Sequence, residues 1–423
     1  MNDKNANGRN AWDWQTEKKQ IPVKEWESQF NWVEEPHVSP DGEQVASIVN
    51  SDEAEFSICV NGDVWEDTFE KAWSLKFSPD GRLAVLAAND EEWTVCIDGT
   101  EWESRFDYIW GMTFSSDGSY LGAAIQQDGE YGVVVNDEPW ESLYENMNHF
   151  TLSEQGGSAA VVQVSSMSQG DIDGFAGGLF SLAVNGEPMP QTFMNIWDPA
   201  FDSQGKHLAF TIRKNRSDYS IFQVDTAWDQ TFQSAWKPAF IENDTSLVAP
   251  VRTGGKWYLY KNARPFWSNV YEQLWQIAVH QEKKSIAAIV SDSYGKWTVS
   301  QDDRPWTNHA DQMITDLSFS EQGDTLCALF KTNGAWTVVA NDKPWDLGAD
   351  KLWKPAMDAT GEIVAARFEK QGRYHLAVNG RVAPGDYDML FDPEISPDGT
   401  KILIKSITGG IYSRQVLSVD GLI

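Results

Sequence analysis

Cysteine is scarce in this sequence and occurs in none of the spacings that hold a metal or a haem. The 423 residues include three cysteines, Cys59, Cys96 and Cys327, which are too few for a disulfide framework. None belongs to a CxxC or CxxCH motif, so the chain encodes neither a zinc ribbon nor an attachment site for c-type haem. We therefore expect no metal site and no cofactor.

Long apolar runs are absent as well. No stretch approaches the roughly 20 apolar residues that a transmembrane helix needs. The first residues, MNDKNANGRNAWDW, lack the basic and then apolar segments of a secretory signal. We expect a cytoplasmic protein with no direct membrane span, which protein partners could hold at the inner face of a membrane.

Positive charge is in short supply. Lys and Arg number 33 against 63 Asp and Glu, which gives a formal net charge of −30. Such an acidic surface repels nucleic-acid phosphates and anionic lipid headgroups, so we expect nucleic acid not to be a partner. The acidity either keeps the protein soluble or serves recognition of a basic partner.

Catalytic motifs are missing too. The six histidines are dispersed, and neither an HExxH nor a GxSxG sequence occurs. No glycine-rich phosphate loop precedes a predicted helix, and paired carboxylates are too common in so acidic a chain to be informative. We expect no enzyme and assign no catalytic residue.

Tryptophan, in contrast, is abundant, and its placement reveals a repeat. The chain has 21 Trp, and segments such as WSLKFSPDG (from Trp73) and WGMTFSSDG (from Trp110) share one layout. Ten copies are recognisable, and their first residues are separated by 39, 37, 39, 48, 39, 39, 40, 38 and 38 residues. The copies start at Glu34, Trp73, Trp110, His149, Trp197, Trp236, Trp275, Thr315, Trp353 and Phe391.

Each copy predicts four short strands. An alternating strand enters the Asp-Gly turn, a small apolar strand such as Leu83–Ala88 follows, and a third strand such as Phe56–Gly62 ends in a second tight turn. A fourth strand is expected to carry another Trp. Four antiparallel strands in about 40 residues are typical of one propeller blade. We predict an all-β fold, a β-propeller of about ten four-stranded blades over residues 24–423, preceded by a polar N-terminal arm over residues 1–23.

The last copy reaches only its third strand, Gln415–Gly421, before the sequence ends. The segment KEWESQF (Lys24–Phe30) nearly repeats the EWESRF of the second copy. We therefore predict that residues 24–30 supply the fourth strand of the last blade, which would hide both open sheet edges. The unbroken spacing favours one ring, and two smaller rings remain the alternative.

Most tryptophan rings are expected to pack between blades, because burial of one ring removes about 150–250 Å² from water. The predicted roles place six Trp in first strands, four in third strands and eight in fourth strands. The fourth-strand set is Trp26, Trp65, Trp102, Trp140, Trp228, Trp267, Trp306 and Trp345.

Partner binding is expected at the loops between second and third strands, which vary most between copies. They include the only large insertion, Ser165–Gly178. The early loops are acidic, as in Asp52–Glu55 and Asp90–Glu92, and the later ones are basic. This sorting either marks a docking face or reflects ordinary solvated charges. The proposed partner-binding residues are Arg213, Lys214, Arg216, Arg252 and Lys256 in these loops, with Trp12 and Trp14 in the arm, which could instead fold back onto the chain itself.

The Asp-Gly turn and the small apolar strand after it, as in SPDGRLAVLAA and SPDGTKILI, resemble the repeats of WD40-like and TolB-type β-propellers over nearly the whole chain. The third strands end in Val-Asn-Gly or a related turn instead of the Trp-Asp of WD40 repeats, which puts the standard WD40 interaction surfaces in doubt. In its tryptophan content, acidity and lack of a signal sequence, the chain also resembles the D subunits of the Tmc transmembrane electron-transfer complexes of sulfate-reducing bacteria. That resemblance implies a cofactor-free cytoplasmic subunit beside iron–sulfur and haem-bearing partners.

We therefore expect a non-catalytic protein-interaction and assembly subunit of a membrane-associated electron-transfer complex. Two alternatives stay open. One is a stand-alone propeller that binds a small molecule or peptide in its channel, and the other is an enzyme that uses channel carboxylates.

Overall fold

The repeats fold almost entirely into short antiparallel strands. In the computed structural model, residues 8–166, 172–223, 226–241 and 246–422 are described. The few helical segments there are residues 8–10, two 3-10 turns, Val23–Glu25 and Val419–Gly421, and helices α1 (Trp26–Gln29) and α2 (Ile172–Gly177). In this part of the chain, no helix has the length and apolar character needed to cross a membrane.

The first half of the chain contains strand β1 and the strands of blades 1 to 5. Their bounds are β1 (Lys18–Ile21); in blade 1, β2 (Trp32–Val33), β3 (His37–Val38), β4 (Val45–Asp52), β5 (Glu55–Val60) and β6 (Asp63–Val64); in blade 2, β7 (Lys71–Phe77), β8 (Leu83–Asn89), β9 (Glu92–Ile97) and β10 (Thr100–Glu101); in blade 3, β11 (Tyr108–Phe114), β12 (Leu121–Gln127), β13 (Glu130–Val135) and β14 (Glu138–Pro139); in blade 4, β15 (Met147–Leu152), β16 (Ser158–Gln163), β17 (Phe180–Val184) and β18 (Glu187–Pro188); and in blade 5, β19 (Asn195–Phe201), β20 (Leu208–Arg213), β21 (Tyr219–Gln223) and β22 (Thr226–Ala227).

The second half contains the strands of blades 6 to 10. Their bounds are, in blade 6, β23 (Ser234–Ala235), β24 (Ala239–Ile241), β25 (Ser246–Thr253), β26 (Lys256–Lys261) and β27 (Arg264–Pro265); in blade 7, β28 (Gln273–His280), β29 (Ser285–Ser293), β30 (Lys296–Gln301) and β31 (Arg304–Pro305); in blade 8, β32 (Met313–Phe319), β33 (Leu326–Thr332), β34 (Ala335–Ala340) and β35 (Lys343–Pro344); in blade 9, β36 (Lys351–Leu352), β37 (Ala356–Met357), β38 (Val364–Lys370), β39 (Arg373–Val378) and β40 (Arg381–Val382); and in blade 10, β41 (Met389–Leu390), β42 (Glu394–Ile395), β43 (Lys401–Thr408) and β44 (Ile411–Ser418).

Over the described residues these strands form ten antiparallel sheets. Each is a meander in which sequence neighbours pair, except that blade 10 also contains the pairing of β1 with β44. In blades 1, 6, 9 and 10 the first strand is split into two pieces that both pair with the second strand. The prediction of an all-β propeller fold with ten four-stranded blades is confirmed. The chain divides into two compact units of five blades each: unit 1 has residues 1–103 and 307–423, and unit 2 has residues 104–306. The single ring stays a prediction, as does the domain boundary at residue 23.

The hydrophobic core lies between neighbouring blades, because the second strand of a blade is buried on both of its faces. Between blades 1 and 2, for example, Ile48 and Ile58 of one sheet meet Leu83 and Val85 of the next, and all four are buried. A blade alone would leave this surface in water, so each sheet depends on its neighbour for stability.

The tight turn between third and fourth strands explains the recurring Asn-Gly and Asp-Gly pairs. The first turn residue is in the left-handed region, which Asn and Asp tolerate better than other non-glycine residues. Its side-chain oxygen also accepts the backbone N–H that begins the second strand, as Asn136 does from Leu121 at 2.8 Å. The residues that make this bond are Asn61, Asp98, Asn136, Asn185, Asn262, Asp302, Asn341 and Asn379.

The fourth strand is only two residues long and ends before the tryptophan that the sequence placed inside it. Strand β10 ends at Glu101, and Trp102 follows it, bonded by its backbone N–H to Val95. The placement of these rings within fourth strands is therefore wrong. The fourth strand pairs with the third strand through two residues only, because the chain then leaves the sheet to reach the next blade.

The tryptophan after the fourth strand packs against the turn of the following blade. Trp140 of blade 3 is buried and donates from Nε1 to Ser158 Oγ of blade 4 at 2.9 Å. Its ring lies so close to Gly186 that a Cβ there would be 3.3 Å from Trp140 Cγ. Trp345 makes the same contact with Gly380. A glycine in the second turn position thus leaves room for the neighbouring ring.

Where this turn has aspartate in place of glycine, the carboxylate binds the preceding blade instead. Asp303, with a φ of 63°, accepts hydrogen bonds from the backbone and hydroxyl of Ser268 and from the backbone of Asn269. Asp342 accepts the equivalent bonds from Thr307 and Asn308. Burial acts to raise the pKa of both carboxyls, but these hydrogen bonds hold each pKa below its ordinary value.

An N-terminal strand completes the last blade, as predicted, but the residues differ from the prediction. Strand β1 pairs antiparallel with β44, with Lys18 opposite Gln415 and Ile21 opposite Tyr412. Residues 24–30, which were expected to form this strand, instead lie in a 3-10 turn and helix α1. The segment EWESRF, which residues 24–30 resemble, belongs mostly to the link that follows a fourth strand and not to the strand itself. Residues 24–30 form the equivalent link before blade 1, where Trp26 is buried and Gly62 of blade 1 lies beside its ring.

The packing of Trp140 on Gly186 predicts that Gly186→Ala destabilises the fold more than Gly129→Ala. Both glycines have a φ above 80°, so an alanine pays a similar backbone cost of about 1 kcal/mol at either position. A Cβ at Gly129 meets no atom within 4 Å, whereas one at Gly186 meets the indole. We expect Gly186→Ala to cost at least about 1 kcal/mol more in urea unfolding. An equal loss of unfolding free energy in the two variants would show that the Trp140 ring does not restrict the residue at position 186.

Candidate functional site

Three neighbouring hairpins of unit 2 carry most of the basic residues singled out by the sequence. They join the second and third strands of blades 5, 6 and 7, at residues 213–219, 253–256 and 293–296. Blades 5 and 6 are tied by a hydrogen bond from Thr211 Oγ1 to the Trp236 carbonyl at 3.1 Å. Between blades 6 and 7, Trp257 of blade 6 packs in one buried cluster with Leu274 and Ile286 of blade 7. The three hairpins therefore lie at the same end of three consecutive, packed blades, and we call them together the basic edge.

Arg213 orders the hairpin of blade 5. Its Nε donates to the Asn215 carbonyl at 3.1 Å and its Nη2 to the Arg216 carbonyl at 2.6 Å. The guanidinium carbon lies 5.6 Å from the centre of the Tyr219 ring, within range of a cation–π contact. The loop is thus held by backbone acceptors and a ring, and the positive charge of Arg213 is left uncompensated by a carboxylate within the described residues.

The other predicted cations differ in how far they are neutralised. Lys214 Nζ donates to the Trp228 carbonyl at 3.3 Å, and Arg252 Nε donates to the Gly255 carbonyl at 3.4 Å. Lys256 forms an ion pair with Glu272. Arg216 is exposed. Among the described residues, Lys256 is the only one of the five predicted cations in an ion pair with a carboxylate.

Stacked aromatic pairs lie on the same sheet face as these cations. In blade 6 the Trp236 ring stacks on the Trp257 ring at 5.4 Å with an interplanar angle of 4°. Arg252 is directly opposite Trp257 in the strand ladder, so both side chains leave the same face. In blade 5 Trp197 stacks on Tyr219 at 5.7 Å. A first-strand indole, a third-strand ring and a cation therefore recur in adjacent blades.

The first-strand indoles are more exposed than the sequence predicts. Trp236 and Trp275 retain 42% and 41% of their surface, whereas the tryptophans after fourth strands, such as Trp228 and Trp267, retain 6%. The expectation that most rings pack between blades is confirmed for the second group. It is wrong for Trp73, Trp236 and Trp275 of the first group, whereas Trp110 of that group packs against a buried cluster. Tyr294, at the tip of the blade 7 hairpin, is fully exposed and was not singled out from the sequence.

An interruption of the first strand explains this exposure. In blades 2, 3, 4, 5, 7 and 8 the strand register shifts just after the repeat start, and in the other four blades the strand breaks there. Ser74, His149, Asp198 and Asp316 adopt a positive φ at this point. Such bulges change the direction of a side chain. Ser74, Gly111 and Asp198, which follow first-strand tryptophans and have a positive φ, could have indicated the bulge in their blades. Lys237 and Gln276, which follow Trp236 and Trp275, give no such signal.

The described part of the N-terminal arm, residues 8–23, folds back onto its own unit. Trp14 is buried against Leu403 and Val416 of blade 10, and Trp12 stacks on it with ring centres 6.0 Å apart. Lys401 Nζ donates to the Trp14 carbonyl at 2.7 Å. This is the alternative that the sequence left open, and contact of either ring with a partner stays a prediction.

The acidic hairpins lie in other blades. Asp52, Glu53 and Glu55 are exposed in blade 1, and Asp90–Glu92 are exposed in blade 2, both in unit 1. The sorting of charge over one common face stays a prediction. Of the predicted insertion Ser165–Gly178, residues 167–171 lie outside the described residues.

Groups suited to catalysis or metal binding are not brought together in the described parts of the chain. No cluster of three or more His, Cys, Asp or Glu suited to a metal ion occurs there. Burial raises the pKa of Cys59 to about 11 and that of Cys96 and Cys327 to about 12. These thiols remain protonated near neutral pH and are poor nucleophiles.

Comparisons with known proteins give distant structural matches only. No protein-family model matches the chain, and no curated protein does. Solved structures with similarity include a eukaryotic initiation factor (13% identity, 77% of this chain and 93% of that chain, TM-score 0.40). The Dos1 propeller matches at 11% identity, 95% of each chain and a TM-score of 0.36. The C-terminal WD40 domain of Sif2 matches at 12% identity, 87% and 93% coverage and 0.36. These scores support no functional argument, and the fold rests on the strand pairing described above.

The raised thiol pKa values predict that native protein does not react with a thiol-specific reagent at pH 8. All three cysteines are fully buried, so neither thiolate formation nor access is favourable. We expect labelling of all three thiols after unfolding in urea, counted by mass spectrometry. Rapid labelling of any of them in the folded protein would contradict the structure around that residue.

Proposed function

We propose that this chain is a non-catalytic protein-interaction and assembly subunit whose docking surface is the basic edge of unit 2. The observation that carries the proposal is the coincidence of uncompensated cations with half-exposed indoles on rigid strands. Tryptophan and arginine are the residues most often found at energetic centres of protein interfaces. A strongly acidic protein has no need of such a local arrangement for solubility.

The residues proposed to contact the partner are those predicted from the loops, Arg213, Lys214, Arg216, Arg252 and Lys256. Lys256 contributes less than the others because Glu272 already neutralises it. Trp236 and Trp275 are added because of their exposure. The arm residues Trp12 and Trp14 are proposed to act mainly in holding blade 10.

We further propose that the partners belong to a membrane-associated electron-transfer complex on the cytoplasmic side. The support is the resemblance to D subunits of Tmc complexes, together with a sequence that encodes no CxxC or CxxCH motif of its own. In such a complex the redox centres lie in the partners, and this chain supplies binding surface.

Purification from native membranes tests this function. With an affinity tag on this chain and mild detergent, we expect a stoichiometric set of iron–sulfur and haem proteins, identified by mass spectrometry and by the haem absorption spectrum. The Lys206→Glu variant, altered at an exposed turn on the opposite end of blade 5, serves as a control that should retain the set. Recovery of a lone chain without redox proteins would refute the proposal.

A further inference from the structure

The basic edge differs in charge from the rest of the chain, which is strongly acidic. The chain has nearly two acidic residues for each basic one, yet Arg213, Lys214, Arg216 and Arg252 lie on two adjacent hairpins. Lys237, next to Trp236, and Lys296, in the third hairpin, add two more exposed cations. Asp218 and Asp292 lie beside these cations but are outnumbered by them, so the edge carries a net positive charge on a strongly acidic protein.

The fixed geometry of these cations narrows the choice of partner. The Arg213 guanidinium is already committed to two carbonyls and a ring, but Arg216 and Arg252 have donors to spare, since each has five N–H groups. A planar guanidinium binds a carboxylate through paired hydrogen bonds. The stacked indole of Trp236 presents an apolar face beside them, for which an aliphatic side chain is the matching group.

The net charge of the protein favours an acidic protein segment over a nucleic acid as the polyanionic partner. A nucleic acid carries a phosphate at every residue and would meet the repulsion of the whole protein, with its formal charge of −30. A short acidic protein segment concentrates its charge at the docking point and can be neutral or basic elsewhere. The local field of the basic edge therefore favours a protein segment.

We propose that the basic edge binds an acidic segment of a partner protein, with carboxylates on Arg216 and Arg252 and an apolar side chain on the exposed face of Trp236. The inference rests on the proposed function, since it names the chemistry of the partner at the same surface. Such a contact forms quickly and weakens with salt, because surface charges steer association.

A short labelled peptide of glutamates with a leucine at every fourth position tests the recognition with the full-length protein. Fluorescence anisotropy at low salt should detect binding that falls as salt is raised. The triple variant Lys214→Glu/Arg216→Glu/Arg252→Glu should weaken binding by about tenfold or more. Trp236→Ala should weaken it as well, whereas Trp73→Ala, at the same repeat position in blade 2 of unit 1, should not.

The matched control changes the same charge elsewhere. The triple variant Lys206→Glu/Arg264→Glu/Lys284→Glu reverses three exposed cations at the opposite ends of blades 5, 6 and 7. It alters the net charge equally and should keep binding within about twofold of the parent, because distant charges are screened. Equal weakening by both triple variants, no binding of the acidic peptide, or tighter binding of single-stranded DNA of the same charge would each overturn the inference.

The same variants distinguish failure of this inference from failure of the proposed function. If redox proteins co-purify with the first triple variant as well as with the parent, the assembly role stands and the basic edge is not its docking surface. If the peptide binds as described but no redox proteins co-purify with the parent, the surface stands and the membrane complex does not. Circular dichroism and thermal unfolding would confirm that each variant is folded.

Discussion

The pairing of β1 with β44 joins residues 18–21 to residues 412–415 in one sheet, and the order of unit 1 depends on it. Without this strand the edge of blade 10 would expose a row of unpaired backbone groups. The pairing is supported by Arg414, which is fully buried. Its Nε donates to the Asp41 carbonyl at 2.9 Å and its Nη2 to the Asp13 carbonyl at 2.5 Å. Nε also lies 3.0 Å from a Glu43 carboxylate oxygen.

Arg414 thus connects three parts of unit 1: the arm, the first turn of blade 1 and blade 10. A second buried cation, Lys405, donates to the Pro40 carbonyl at 3.0 Å, and burial lowers its pKa. By strand register, the position of Arg414 holds a buried aliphatic residue in most other blades, such as Ile221 of blade 5. A buried charge is costly to leave unpaired. The contact of the arm, the first turn of blade 1 and blade 10 around Arg414, which we call the joint, therefore tolerates little misalignment.

The sequence was sufficient to predict the sheets because their determinants are local. Asn-Gly turns and alternating apolar residues each depend on a few neighbouring residues, and the 39-residue period repeats them along the chain. The predicted strand Leu83–Ala88, for example, is within one residue of β8. Residues 24–30 were wrongly predicted to form a strand because their sequence matches the link that follows each fourth strand. That link has a similar sequence whether or not a strand comes directly before it. The exposure of Trp236 was missed because it depends on a break in the strand, which composition does not reveal. The partnership of Arg414 with Asp13 spans 401 positions, so no local pattern could predict it.

A pair of engineered cysteines tests the joint most directly. Gln20 and Ser413 are opposite each other, and their side chains are in contact, with Gln20 Nε2 donating to Ser413 Oγ at 3.3 Å. The variant Gln20→Cys/Ser413→Cys should form a disulfide on mild oxidation and raise the unfolding temperature, because directly opposed residues of an antiparallel pair lie within disulfide range. The variant Ser28→Cys/Ser418→Cys, which links the segments that the sequence had paired, should stay reduced. Efficient oxidation of the second pair and not of the first would contradict the structure of blade 10.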